Sequence, residues 1–584
     1  MIKLLKNFKK KEWILTIICL TLILLQVWLE LKMPDYMSKI TVLVQTEGSN
    51  IRDILQNGIY MTLCAFGSLI SAIIVGYLSA NISATFSMNV RKKIFNKVEN
   101  LSMSEIKKFS TSSLITRTTN DITQIQMLIS MGLHILIKAP ITAVWAVTKI
   151  LNKSWQWSAI TALGVLILLI GIGIILLIVV PRFKKIQKLI DRINGITREN
   201  LTGIRVVRAF NAEEFQENKF EEVNNSLTNM QMFNQKTFAA LSPVMYLVMY
   251  FLTLAIYFVG AYLIDGAEIT NKIRLFGDMV VFSSYSLQVI MSFLMMGIIF
   301  MMLPRAQVSA ERINEVLSTE TSIKDGLINK DTTNLKGTIE FKNVSFKYPD
   351  AEEYLLRNLT FKINRGETVA FIGSTGSGKT SLINLIPRFY DATEGSVLVD
   401  GIDVKEYSQN FLHSKIGYVS QKAVIFNDSI NANIAYGDIG KKEISEENIK
   451  KAIEIAQGKD FIEKMEKQYN TIVSPGGTNL SGGQKQRISI ARAIAKNPEI
   501  YIFDDSFSAL DYKTDSILRR ELKKYTKDTT TLIVAQRIGT IMNADRIIVL
   551  DEGMIVGQGN HKELLENCDV YKQIALSQLS EDEL

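Results

Sequence analysis

The sequence predicts a chain in two parts. The first is a membrane α-helical domain of six transmembrane helices with long cytoplasmic extensions; an α/β domain built on a phosphate-binding loop follows it. Three observations carry this reading. Six long apolar runs precede residue 305, short β-branched runs alternating with helical stretches begin near residue 335, and a Gly-rich octapeptide stands between a strand and a helix of that second part. At 584 residues the chain is too long for one core. Its 47% apolar and 21% charged content, with a mean hydropathy of +0.14, reads as an average over two unlike halves. Collagen, disorder and small disulfide-stapled folds are excluded. Cys19, Cys64 and Cys568 are odd in number and scattered, which fits a reducing cytosolic face.

The six runs are Trp13 to Leu31, Ile59 to Ala80, Met127 to Thr148, Trp155 to Val180, Phe238 to Ile264 and Phe276 to Leu303. Each approaches the roughly 20 residues that cross a bilayer as a helix. The first is too long for a signal-peptide core, lacks a small-residue cleavage site and precedes more spans, so it is expected to be retained.

Lysine and arginine set the orientation, because positive loops stay in the cytoplasm. Lys3, Lys6, Lys9, Lys10 and Lys11 precede the first span, seven basic residues lie in 81–126 and ten in 181–237; the alternate connections, 32–58, 149–154 and 265–275, hold seven altogether, Lys153 among them. The protein is therefore expected to be a multi-pass protein of the cytoplasmic membrane with both termini inside. The net charge of +8, which might have suggested nucleic acid, reports topology instead, and no nucleic-acid partner is expected. Apolar residues at helical spacing around Ile94, Val98 and Leu101, and around Phe215 and Phe220, predict helices that continue below the membrane.

Residues 1–320 are read as the transmembrane domain with its intracellular loops, 321–336 as a linker and 337–584 as the α/β domain. Within the last, Thr338 to Ser345, Thr368 to Ile372, Ile500 to Phe503, Thr530 to Val534 and Arg546 to Leu550 read as strands. Neither a low-complexity tract nor a repeat of 20 to 50 residues is evident.

The octapeptide is Gly373, Ser374, Thr375, Gly376, Ser377, Gly378, Lys379 and Thr380, with Ser381 following. Its glycines let backbone N–H groups wrap phosphate oxygens, Lys379 reaches the β and γ phosphates, and the Thr380 hydroxyl suits Mg²⁺. A strand ending in Asp504 is placed to hold the same metal. Between the two lies Leu480, Ser481, Gly482, Gly483 and Gln484, whose small residues allow an anion close to a helix start.

These motifs resemble the nucleotide-binding domain of an ATP-binding cassette (ABC) protein, and the six helices before it resemble the exporter-type half-transporter of that family. The resemblance covers nearly the whole chain. It implies an ATP-hydrolysing transporter that uses ATP and Mg²⁺. It also implies adenine stacking on Tyr348, a Q-loop role for Gln421 at the γ-phosphate and the metal, a D-loop at Ser508 to Asp511, and intracellular loops at Phe109 to Asp121 and Glu199 to Phe210. In this family ATP lies between the phosphate loop of one domain and the signature of a second, so Ser481 serves the partner's nucleotide.

Two departures meet at one γ-phosphate. Where the family has a water-polarising glutamate after the metal aspartate this chain has Asp505, one methylene shorter, and the switch histidine is replaced by Gln536, which cannot carry a charge. The signature is intact. The expectation is a degenerate ATP site in this chain and an unlike half-transporter partner supplying the catalytic Glu and the switch His, as in bacterial heterodimeric multidrug exporters. Pro475 replaces a glutamate common just before the signature. In the membrane half, His134 and Lys138 lie on one face of the third span, where ionisable groups are costly; Lys138 is expected to lie near an aqueous cavity or to snorkel. Met291, Met295 and Met302 line one face of the sixth span, which suits either a promiscuous cavity or plain packing. The expected cargo, by analogy of fold, is a small amphipathic, hydrophobic or cationic compound; an exporter-fold importer of siderophore type, a slow homodimer and an ATP-gated channel are the rivals.

Overall fold

The computed structural model describes residues 2–6, 8–151, 155–438 and 444–579. Lys153, one of the seven basic residues above, lies outside them. The chain divides into two compact units, one of residues 1–99 and 111–319, the other of residues 100–110 and 320–584.

In the first unit six helices carry the six apolar runs, except that the fifth run's first residues, Phe238 and Ala239, end the preceding helix. Span 1 is Lys10–Gln45, span 2 Ile51–Glu99, span 3 Asn120–Leu151, span 4 Trp155–Thr202, span 5 Leu241–Asp265 and span 6 Ile269–Ser318. A helix satisfies its own backbone groups, which is what hydrocarbon requires. Outward faces are apolar, with Leu177, Phe258 and Tyr262 more than three-quarters exposed. Inward faces pack Ile23, Val27, Trp157, Ile256, Phe282 and Tyr285 into a core. Span 2 buries a row of small residues, Ser68, Ser71, Ser79, Ser83 and Ser87, which lets neighbouring helices approach. Ser79 Oγ donates to the Ser130 carbonyl of span 3 at 2.6 Å.

The helix Ile51–Glu99 carries the expected extension with Ile94 buried, but it stops short of Leu101, which is buried in a bend and belongs to the second unit. The extension through Glu213–Ala239 differs in its packing: Phe215 is 68% exposed, and the helix buries Val223 and Asn234. Met291 and Met295 are also exposed. Lys138 pairs with Glu30 of span 1 at 2.8 Å.

Among the described residues the second unit carries ten strands. They are β1 Ile339–Phe346, β2 Leu356–Ile363, β3 Thr368–Gly373, β4 Glu394–Val399, β5 Ile402–Asp403, β6 Ile416–Val419, β7 Ile500–Asp504, β8 Thr530–Val534, β9 Arg546–Asp551 and β10 Met554–Gly559. An antiparallel sheet has the order β2-β1-β4-β5, and a six-stranded sheet runs β10-β9-β3-β8-β7-β6, parallel from β9 to β6. Alternate residues of the parallel strands enter opposite cores: Ala370, Ile372, Tyr501 and Phe503 face one side, Val369, Phe371, Ile500 and Ile502 the other.

The segment read as a linker is stitched down. Gly326 N–H and Ile328 N–H donate to the Tyr407 and Glu406 carbonyls. Lys415 Nζ gathers Asp331, Asp400 and Glu499 at 2.6, 3.0 and 2.9 Å. The three hydrogen-bonded carboxylates hold its ammonium above the ordinary lysine value, against burial.

Candidate functional site: a phosphate loop and a doubly clamped aspartate

The sheet order builds the site. β3, β8, β7 and β6 are neighbours and parallel, so the residues leaving their C-terminal ends converge on one edge. β3 delivers the phosphate loop, β8 leads to Gln536, β7 ends in Asp504 with Asp505 next, and β6 leads to Gln421.

The loop from Gly373 to Thr380 turns back through Gly376 at φ 89° and Gly378 at φ 93°, conformations that need glycine. A Cβ at Gly373 would lie 1.9 Å from the Leu550 carbonyl, so the loop mouth also admits no side chain there. Ser377 N–H donates to the Ser374 carbonyl, and Ser374 Oγ to Asp551 at 3.3 Å, leaving Thr375 at the tip. Lys379 is buried, its Nζ held by the Gly373 and Ser374 carbonyls at 2.9 and 2.8 Å. Burial pulls its ammonium below the usual lysine range, while Asp505 and Asp504 pull the other way. An incoming polyphosphate would replace two weak carbonyl acceptors with full charges.

Thr380 Oγ1 donates to Asp504 Oδ1 at 2.9 Å. That is about the separation of adjacent ligands in an octahedron with 2.0–2.1 Å metal–oxygen bonds, so the pair fits Mg²⁺, which would neutralise phosphate charge there. Burial, with the charge of Asp505 added, raises the Asp504 carboxyl above the usual range, against hydrogen bonds from Thr380 and Tyr418. Tyr418, which the motif reading did not include, also reaches Asn384 at 3.0 Å.

Asp505 has a left-handed backbone at φ 45°. Its Oδ2 accepts from Gln421 Nε2 at 3.2 Å and from Gln536 Nε2 at 3.3 Å. The structure thus brings Gln421 to Asp505, and gives its side chain no hydrogen bond to Thr380 or Asp504. Burial raises the Asp505 carboxyl, opposed by the Gln421 hydrogen bond and by the positive charges of Arg537 and Lys379. Arg537 was not singled out in sequence; a cation directly after Gln536 was its only signal.

Tyr348 donates or accepts a 2.8 Å hydrogen bond at Ser381 and meets Phe346 and Tyr390 edge-on. Lys107, from a short helix, Met103–Phe109, of this same unit, lies 4.6 Å from the Tyr348 ring centre. Ser481 stands apart from this edge as the cap of the helix Gly482–Ala495. Its Oγ accepts from Gln484 N–H at 3.3 Å, and Gln484 Oε1 accepts from Ser481 N–H at 2.9 Å. Leu480 anchors the turn in the core while Ser481 and Gly482 face solvent and Gly483 is half-buried. Ser508 Oγ donates to the Asp505 carbonyl, and Asp511 caps the next helix through Thr514 N–H. Pro475 opens a tight turn completed by Gly476 at φ 67°.

Comparison with known proteins agrees with this arrangement. Residues 16–293 match the family model "ABC transporter transmembrane region" and residues 356–508 match "ABC transporter". An uncharacterised ABC transporter ATP-binding protein of Mycobacterium tuberculosis is 37% identical, over 88% of this chain and 86% of its own. YfiB of Bacillus subtilis, also an uncharacterised ABC transporter ATP-binding protein, is 34% identical over 99% and 98%. An ATP-dependent lipid A-core flippase of Pseudoalteromonas translucida is 32% identical over 92% and 91%. The solved structure of a bacterial Atm1-family ABC exporter with ATP bound shares the fold at a TM-score of 0.82 and 24% identity, covering 98% of this chain and 99% of that one.

Proposed function

The chain belongs to the ABC transporter family, its membrane and ATPase parts joined in one polypeptide, and from that premise we propose that it is one subunit of a heterodimeric exporter of amphipathic compounds. Its own phosphate loop forms a degenerate site. Lys379, Thr380 and Asp504 hold Mg·ATP there, and Tyr348 stacks on the base. An unlike half-transporter supplies Glu and His to a second site completed by Ser481 of this chain. ATP binding draws the two nucleotide domains together and switches the membrane cavity from inward to outward access; hydrolysis at the partner's site resets it. Both termini lie in the cytoplasm.

The observation that carries this reading is the double amide clamp on Asp505. The oxygen that would orient an attacking water is already engaged by two amide donors, and aspartate is one methylene shorter than the glutamate of the family pattern. The relative named as a lipid A-core flippase supports amphipathic cargo. Co-purification tests the assembly: the reading expects a second half-transporter with Glu after its metal aspartate. If the chain purified alone turns over ATP at on the order of 10 per second, it is a homodimeric exporter and the degenerate-site reading is wrong.

A further inference from the structure

The membrane unit contains a convergent polar cluster that ATP chemistry does not use. Glu30 Oε1 accepts from Gln26 Nε2 at 3.0 Å, from Ser68 Oγ at 3.1 Å and from Lys138 Nζ at 2.8 Å. Three helices, spans 1, 2 and 3, meet on this one oxygen. Glu30 Oε2 accepts no hydrogen bond from the described residues. Gln26 is 3% exposed, and its Oε1 has no donor. His134, one turn from Lys138, has a buried Nδ1 without a partner. The cluster is nonetheless reachable, since the side chains of Lys138 and Glu30 are 26% and 23% exposed.

The two charges are not held alike. Neutral donors on its own helix and on span 2 fasten the carboxylate, whereas the ammonium is fastened by the carboxylate alone and sits on a flexible four-carbon stem. Lys138 can therefore leave while Glu30 stays. The atoms then waiting, Glu30 Oε1 and Oε2, Gln26 Oε1 and one tautomer of His134, are all acceptors. An anion would face the fixed carboxylate. A quaternary cation would leave the acceptors unmet, and a buried unmet acceptor is costly. The second ion pair, Asp35 with Lys149 at 2.8 Å, takes Tyr285 Oη as well and offers no comparable unpaired acceptor.

The geometry points to Glu30, Gln26 and Ser68 as a recognition site for the protonated amino group of amphipathic cargo, with Lys138 as a tethered alkylammonium that occupies the site until cargo displaces it. This rests on the transporter reading but concerns binding alone. The assembled transporter in nanodiscs, without nucleotide, is titrated with octylamine, octanol and octanoate, following tryptophan emission. Octylamine is expected to bind about tenfold more tightly than octanol, and Glu30→Gln to erase that preference. Lys138→Met removes the internal competitor and should tighten octylamine binding about tenfold, which a merely structural salt bridge would not do. Equal affinity for the three probes, tightest binding of octanoate, or no tightening in Lys138→Met overturns the proposal. If Glu30→Gln does not assemble, the Lys138→Met titration decides. Amine preference without ATP-driven dye movement in vesicles would sink the exporter reading and keep the site; dye movement without amine preference would do the reverse.

Discussion

Gln536 Nε2 and Asp505 Oδ2 are 3.3 Å apart, and the same oxygen takes Gln421 Nε2 at 3.2 Å. The two residues at which the sequence departs from the family pattern thus hold each other. Replacing both, Asp505→Glu with Gln536→His, should restore a base that extends one methylene further and a group able to carry charge. With the partner's catalytic Glu changed to Gln, so that only this site can fire, ATPase activity should rise on the order of 10²-fold. No rise places the defect elsewhere.

Asymmetry predicts unequal losses. If the chain pairs with an unlike, hydrolytic half-transporter as proposed, Ser481→Arg should lower the steady-state ATPase of the complex by about 10²-fold. Lys379→Ala, in the retentive site, should cost bound nucleotide but leave turnover within about fivefold. Equal losses would mean two equivalent sites.

The Asp505 carboxyl, raised by burial, binds its proton more tightly folded than unfolded. Its contribution to stability is therefore full at low pH and is lost as pH rises from the unfolded carboxylate value, about 3.9, through the folded one. Asp505→Asn keeps an oxygen for both amides and removes the charge. Thermal unfolding should show the variant more stable than the parent at pH 7, with the gain shrinking toward pH 4; a gain that grows on acidification contradicts the assignment.

Lys415 neutralises three carboxylates from three separate segments. Lys415→Met leaves Asp400, which is 1% exposed, without a counter-charge. The nucleotide domain should lose about 3–5 kcal/mol by chemical denaturation. A loss under about 1 kcal/mol would reduce the cluster to a surface ion pair.

The parts legible in sequence were those whose function fixes residue type at fixed spacing, namely the phosphate loop, Asp504 and the signature. Buried parallel strands such as β7 and β8 also showed as unbroken apolar runs. β2 was hidden because Arg357, Asn358, Thr360 and Lys362 interrupt it, with Asn358 at φ 47° marking an irregularity. β6 is four residues long and contains Gly417; β10 is a half-exposed edge strand with Gly557 and Gly559. Glu30 passed unnoticed inside an apolar run, because its partner Lys138 is 108 positions away and only the fold brings them together. The clamp on Asp505 was invisible for the same reason: its three members leave three different strands.

Ser481 has committed one of its two lone pairs. Because its oxygen already receives Gln484 N–H, the hydroxyl hydrogen cannot turn inward and is left to point away from the helix. A freely rotating hydroxyl has become a donor biased outward, polarised by the amide behind it, with one lone pair still open. The cap therefore turns this hydroxyl toward an anion's oxygen before any ligand arrives, a bias written by the helix start itself.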